Sequence, residues 1–217
     1  MRNESQEQNY LNEVFGLDDA ELSEVREELH RHNVEFMSVS GAEARILQFL
    51  TRALGVLKIV EVGTLFGYST LAFAKALPAQ GRIWTLEKSR ENFTIAQKHF
   101  AKFEAGKKIT ALNGDAAEIL SSIEKEGPFD LVFIDADKAG YLKYLDWAEK
   151  NVRLGGYIVG DNTFLFGALW GQTRDRNINE KQIAAMKEFN RRLADTSLYN
   201  STLIPTVEGL TVAQKLR

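Results

Sequence analysis

Leu22, Val25 and Leu29 recur at three and four residues in AELSEVREELHRHN, which sets them on one face of a helix over 20–33. Asp18 and Asp19 stand just ahead of that stretch and can cap it. Helical, charged sequence fills the first forty residues. Ser40 followed by Glu43 is a capping-box signature opening GAEARILQFLTRALG, and Gly55 stops that helix. Beyond it the pattern changes to short apolar runs: KIVEVG, RIWTLE, KITALNG, FDLVFIDAD and GGYIVGDN. Between them lie YSTLAFAKAL, SRENFTIAQKHFAKF, DAAEILSSIEKE and KAGYLKYLDWAEKNVR, each read as a helix.

KIVEV and FDLVFI lack polar alternation, which suits parallel strands covered on both faces. Strand–helix units repeated with short loops predict a doubly wound, Rossmann-like α/β sheet with helices on both faces. NEKQIAAMKEFNRRLAD is a late helix, while LYNSTLIPTV and GLTVAQKL flank Glu208-Gly209, a hairpin signal. The whole predicts a seven-stranded, mostly parallel sheet closed by a C-terminal antiparallel hairpin. Without repeats or a Pro/Gly/Ser linker, the chain reads as one domain over 1–217, with a helical extension over 1–40 and an α/β core over 41–217.

Composition narrows the function classes. Hydrophobic content of 44% and charged content of 26% are those of a globular protein. Lys and Arg number 27 against 30 Asp and Glu, a net charge of −3, so no chain-wide basic surface for nucleic acid or anionic membrane exists. Without cysteine there is neither disulfide nor thiol chemistry. MRNESQEQNYLNEVF is too polar for a signal peptide and no apolar run is long enough for a membrane span, so a cytoplasmic enzyme is expected.

The candidate chemistry stands where strands hand over to loops. EVGTLFGYST gives Glu61-x-Gly63-x-x-x-Gly67: Gly63 allows the turn and a close ligand, Gly67 close packing at the helix start. Thr64 and Leu65 fill the place where a dinucleotide loop keeps its middle glycine, and Glu61 would repel a diphosphate. A carboxylate there suits a ligand with a positive end, an amino-acid moiety or a sulfonium. Glu87, 24 residues after Gly63, either binds ribose hydroxyls or favours the helix that begins at SREN. Asp115, in NGDAAE, either accepts from an adenine amino group or caps the next helix.

Two apolar runs then end in acids, at FIDADK and VGDNTF. Neighbouring fourth and fifth strands would bring Asp135 and Asp161 together with Asn162 beside them. Two carboxylates and an amide oxygen are hard ligands for Mg²⁺, Ca²⁺ or Mn²⁺, and no histidine near them suggests zinc. Asp137 either joins the site or caps the helix after it. Lys138 is either a base activated by its surroundings or a solvated lysine. Phe164, Leu165, Phe166 and Trp170 either wall an aromatic substrate or pack their own loop.

EVGTLFGYST, WTLEKSREN, NGDA, FIDADKAGY and VGDNTF together resemble the class I S-adenosylmethionine (SAM)-dependent O-methyltransferases. More narrowly the chain resembles the cation-dependent catechol and caffeoyl-CoA O-methyltransferase family, from about Met37 to the hairpin. The resemblance implies methyl transfer from SAM to a hydroxyl of a small catechol-like acceptor. It puts Glu61, Gly63, Thr64, Ser69, Glu87, Ala116 and Asp137 on cofactor positions, with Met37, Val39 and Glu43 on the N-terminal part of that site. Asp115 and Asp135 are assigned to the cofactor as well. It puts Asp135, Asp161 and Asn162 on the metal ligands, Lys138 with Asp135 on the catalytic positions, and Tyr144 on a substrate-facing one. Phe166 and Trp170 complete the substrate assignments. It also implies a homodimer. Where plant members carry Trp-Asn-Gly this chain has Leu165-Phe166-Gly167, so an asparagine facing the substrate is here a phenylalanine. A hydroxylated tRNA uridine is an alternative acceptor, with Arg174, Arg176, Arg191 and Arg192 as candidate phosphate contacts. A nicotinamide-dependent oxidoreductase is a second alternative, disfavoured by the missing G-x-G.

Overall fold

The computed structural model describes residues 6–15, 18–172 and 177–217. Its helices begin with α1 (Gln6–Phe15), α2 (Ala20–Arg31) and α3 (Gly41–Ala53). Then come β1 (Lys58–Val62), α4 (Tyr68–Ala76), β2 (Arg82–Glu87), α5 (Arg90–Lys102), β3 (Ile109–Asn113) and α6 (Ala116–Ser122). The rest is β4 (Phe129–Ile134), α7 (Tyr141–Asn151), β5 (Val152–Gly160), α8 (Glu180–Leu193), β6 (Tyr199–Ile204) and β7 (Leu210–Lys215). The seven strands form one sheet in the order β3-β2-β1-β4-β5-β7-β6. Pairing is parallel for β2 with β3, β1 with β4 and β4 with β5, and antiparallel for β7 with β5 and β6. The mostly parallel sheet with its terminal hairpin is therefore as the sequence predicts. Among the described residues no helix is long and apolar enough to cross a membrane.

The chain divides into two compact units, Met1–Leu57 with Thr64–Gly114, and Lys58–Gly63 with Asp115–Arg217. In the first, α3 has both arms of the capping box: Glu43 N–H donates to Ser40 Oγ at 3.2 Å and Ser40 N–H to Glu43 Oε2 at 2.7 Å. Its C-terminus closes when Gly55, at φ +62°, turns the chain so that Val56 N–H reaches Thr51 O. Asp19 caps α2, accepting from Glu21 and Leu22 N–H. Asp18 does not cap it, contrary to the sequence expectation. Its carboxylate is taken by Arg26 at 2.5 Å and by the hydroxyl of Tyr68, stronger partners than a helix end.

In the second unit, Leu131, Val132, Phe133 and Ile134 of β4 are all fully buried, which is why that run shows no polar alternation. α7 packs on β4 and β5, and α8 on α7. The sequence carries the α7 helix through Arg153, but the helix stops at Asn151 and β5 starts at Val152. The reason is non-local: Val152 pairs with Phe129, and the register then shifts between Phe129 and Leu131.

Candidate active site

The parallel pairing fixes where the acids stand. Asp135 follows β4, and its N–H donates to Val62 O, the end of β1, at 2.9 Å. Asp161 follows β5, and its N–H donates to Ile134 O at 3.0 Å. The two aspartates thus leave neighbouring strands at their carboxyl ends, one strand spacing apart, about 4.8 Å between backbones. Asp161 is 1% exposed and Asn162 8%. Asn162 takes φ +53°, a left-handed conformation that asparagine tolerates better than most residues. Its Nδ2 donates to Asp161 Oδ2 at 3.2 Å, which directs the amide oxygen elsewhere.

Lys138 Nζ lies 3.5 Å from Asp135 Oδ1 and 2.8 Å from the hydroxyl of Tyr141. Tyr141, fully buried, donates to Asp161 O at 2.7 Å, with Ile134 O at 3.1 Å. Burial, then the nearby Asp135, Asp161 and Asp137, raises the Tyr141 pKa well above its ordinary value, so the phenol keeps its proton. Tyr144 is buried as well, and its hydroxyl donates to Asp137 Oδ1 at 2.6 Å. Burial first and this bond second raise its pKa above the ordinary tyrosine value. Among the described residues no side chain caps α7, and Asp137 serves Tyr144.

The loop after β5 is held from behind. Thr163 N–H donates to Gly209 O and Phe164 N–H to Glu208 O, so the β6–β7 turn grips the residues directly after Asp161-Asn162. Asn190 of α8 donates to Thr163 O at 2.9 Å, and Thr211 Oγ1 links Thr163 Oγ1 with Asn190 Oδ1. These supports escape a sequence reading, which sees the hairpin but not what it docks on. Further along, Leu165 and Phe166 adopt φ +50° and +53°, and Phe164 meets the half-exposed Trp170 edge-on at 5.3 Å. Gly63 at the end of β1 has φ +105°, and a Cβ there would lie 2.0 Å from Asp135 O.

Glu61, Asp115 and Ala116 stand in the same unit. Glu61 is fully buried in β1, opposite Phe133 of β4. Asp115 caps α6, accepting from Ala117 N–H at 3.0 Å, and Ala116 is the first residue of that helix. The capping alternative for Asp115 is thus realised.

In the other unit, Glu87 serves the loop and the helix together. Oε2 accepts from Leu65 N–H and Oε1 from Ser89 N–H, each at 2.8 Å. Leu65 is held there at φ +50°. Gly67, at φ +90°, faces the Phe100 ring so closely that a Cβ would come within 2.4 Å of it. Thr64 Oγ1 pairs with Thr85 Oγ1 at 2.6 Å, and His99 Nδ1 pairs with Phe66 O at 2.9 Å. His99 is a support that sequence reading passed over, because nothing local ties a helix histidine to a loop carbonyl. Ser69 and Val39 are buried, Met37 is half-exposed, and Glu43 is the capping-box acid of α3.

The donor set at the β4 and β5 ends fits a hard divalent cation: two carboxylates and an amide oxygen, with Lys138 beside Asp135. Among the described residues no three or more His, Cys, Asp or Glu side chains gather where a metal could be held. The third oxygen of the candidate set is therefore the Asn162 amide. Of the arginines considered for RNA, Arg192 is paired with Asp146 and Glu149, and Arg191 with Glu188. Arg174 and Arg176 lie outside the described residues.

A family model described as O-methyltransferase matches residues 12–216. The chain belongs to the O-methyltransferase family. Within it, the chain is 33% identical over 200 residues to the catechol O-methyltransferase of Niastella koreensis, covering 91% of this chain and 89% of that one. It is 32% identical over 212 residues to caffeoyl-CoA O-methyltransferase 1 of Zea mays, covering 94% and 81%. Among solved O-methyltransferases, it superposes with TomG of Streptomyces achromogenes, solved in complex with SAM, at a TM-score of 0.89 and 28% identity over all of both chains. The Bacillus cereus O-methyltransferase, solved with SAH, gives 0.86 and 30% over 98% of each chain. Family membership sets aside the hydride-transfer alternative.

Proposed function

We propose that this O-methyltransferase moves the methyl group of SAM to one hydroxyl of a small vicinal dihydroxy aromatic, with a divalent cation held by Asp135, Asp161 and Asn162. The observation that carries this reading is the meeting of Asp135, Asp161-Asn162 and Lys138 at the ends of adjacent strands. A bound cation would polarise the acceptor oxygen as a Lewis acid. Asp135 and Asp161 would hold it through carboxylate oxygens, and Asn162 through its amide oxygen. Lys138, beside Asp135, takes or stabilises the proton of the acceptor hydroxyl. The acceptor oxygen then bonds the methyl carbon as the carbon–sulfur bond breaks, leaving a thioether. Much of the rate comes from holding the two reactants in line. Phe166 and Trp170 offer an aromatic wall, and Phe166 replaces the asparagine of plant members with an apolar surface. The SAM contacts are those the sequence resemblance assigns.

Acceptor geometry tests the reading. The proposed acceptor is a vicinal diol, so a 1,2-dihydroxyphenyl acceptor should be methylated at least about 100-fold faster than its 1,3 isomer. Product is read by mass spectrometry with SAM and Mg²⁺ present. Equal rates for the two isomers would overturn the vicinal-diol reading.

A further inference from the structure

Tyr141 binds more than a packing role requires. The buried ring sits at the first residue of α7 and meets Phe189 of α8 edge-on at 5.2 Å. Its hydroxyl proton goes to Asp161 O, 2.7 Å away, on the chain leaving β5. Ile134 O, 3.1 Å away, is the last residue of β4. The oxygen lone pairs then face Lys138 Nζ at 2.8 Å, so the hydroxyl donates to the carbonyls and accepts from Lys138. Ring packing and the carbonyl bonds would suffice for a structural tyrosine. The bond to Lys138 is the addition, and it acts on a side chain that otherwise samples many rotamers. Nothing local in the sequence marks the carbonyl bond that anchors the hydroxyl, since Asp161 lies 20 residues further along the chain.

We infer that Tyr141 is a positioning residue for Lys138: its hydroxyl, fixed to the backbone after β5, holds Lys138 Nζ beside Asp135 before any acceptor arrives. The inference rests on Lys138 being the group that handles the acceptor hydroxyl. Tyr141 is fully buried and its hydroxyl meets Lys138 Nζ, so its effect passes through Lys138.

A double-mutant cycle tests this, with wild type, Tyr141→Phe, Lys138→Ala and the double variant assayed for methyl transfer to a 1,2-dihydroxyphenyl acceptor at saturating Mg²⁺. Single-turnover rates by mass spectrometry reach the slow variants. Mn²⁺ affinity by electron paramagnetic resonance and thermal unfolding are measured on each protein. Tyr141→Phe should lower kcat by about 10- to 100-fold, the scale of a misplaced catalytic group, with KM for acceptor and SAM and the Mn²⁺ affinity unchanged. In the Lys138→Ala background the same substitution should add less than about twofold.

Equal losses in both backgrounds, or no loss in wild type, overturn the inference. Weakened Mn²⁺ binding overturns it too, since the hydroxyl would then act through Asp161. If Lys138→Ala keeps full activity, the assigned role of Lys138 fails, a separate result visible in that single variant. Should Tyr141→Phe fail to fold, 3-fluorotyrosine at 141 keeps ring and hydroxyl while weakening the lone pairs. The same cycle then expects a few-fold loss confined to the Lys138 background.

Discussion

Gly63→Ala should cost about 4 kcal/mol or more, at the extreme of single-residue effects. Two terms add. The backbone at φ +105° is closed to L side chains, and the new methyl would stand 2.0 Å from Asp135 O and 2.8 Å from Asp135 C. Both obstacles are backbone atoms of the chain leaving β4, so no side chain can swing aside. Something must move, and what moves carries Asp135 away from Asp161. At roughly 2–4 °C per kcal/mol for a chain of this size, the melting temperature should fall by about 8–16 °C. Gly171→Ala is the control. It also has a positive φ, +77°, but nothing lies within 4 Å of its Cβ. Only conformational strain remains there, about 1–2 kcal/mol. Equal losses at the two positions, measured by differential scanning calorimetry, would show that the approach of the β1 end to Asp135 is not tight.

Asp161→Ala should cut methyl transfer by about three orders of magnitude. Lewis-acid stabilisation is worth several kcal/mol; taken as about 4, at about 1.36 kcal/mol per tenfold it gives that factor. The variant should nonetheless fold. Losing one of two neighbouring carboxylates relieves repulsion in the metal-free protein, and Tyr141 donates to the Asp161 backbone carbonyl, which the substitution keeps. The separating readout is thermal: Mg²⁺ should raise the melting temperature of the wild type, because it binds the folded state, and leave Asp161→Ala unmoved. A variant as active as wild type, or one that Mg²⁺ still stabilises equally, removes Asp161 from the ligand set.

What was legible in the sequence was what local chemistry or simple period determines. The unbroken apolar run of β4 announces a strand covered on both faces, and Leu131 to Ile134 are fully buried. The Ser40–Glu43 box is spelled in four residues and forms as written. The acids after β4 and β5 follow from two strands being neighbours, which α/β topology makes the default. The features that the sequence misleads on or does not mark depend on distant partners. Asp18 looks like a cap until Arg26 and Tyr68 claim it. Val152 looks helical until Phe129 pairs with it. Tyr141, His99 and Asn190 look like ordinary helix residues, and their partners are a carbonyl after β5, the Phe66 carbonyl and the Thr163 carbonyl. None of those distances is encoded in spacing along the chain.

The measurement that bears most directly on the account is methyl transfer from SAM to a 1,2-dihydroxyphenyl acceptor, followed by mass spectrometry with Mg²⁺, with excess chelator, and with Mg²⁺ restored. A mono-methylated product should form with Mg²⁺, disappear with chelator and return with the cation. Product formed at the same rate in chelator would contradict it, and with it the role given to Asp135, Asp161 and Asn162.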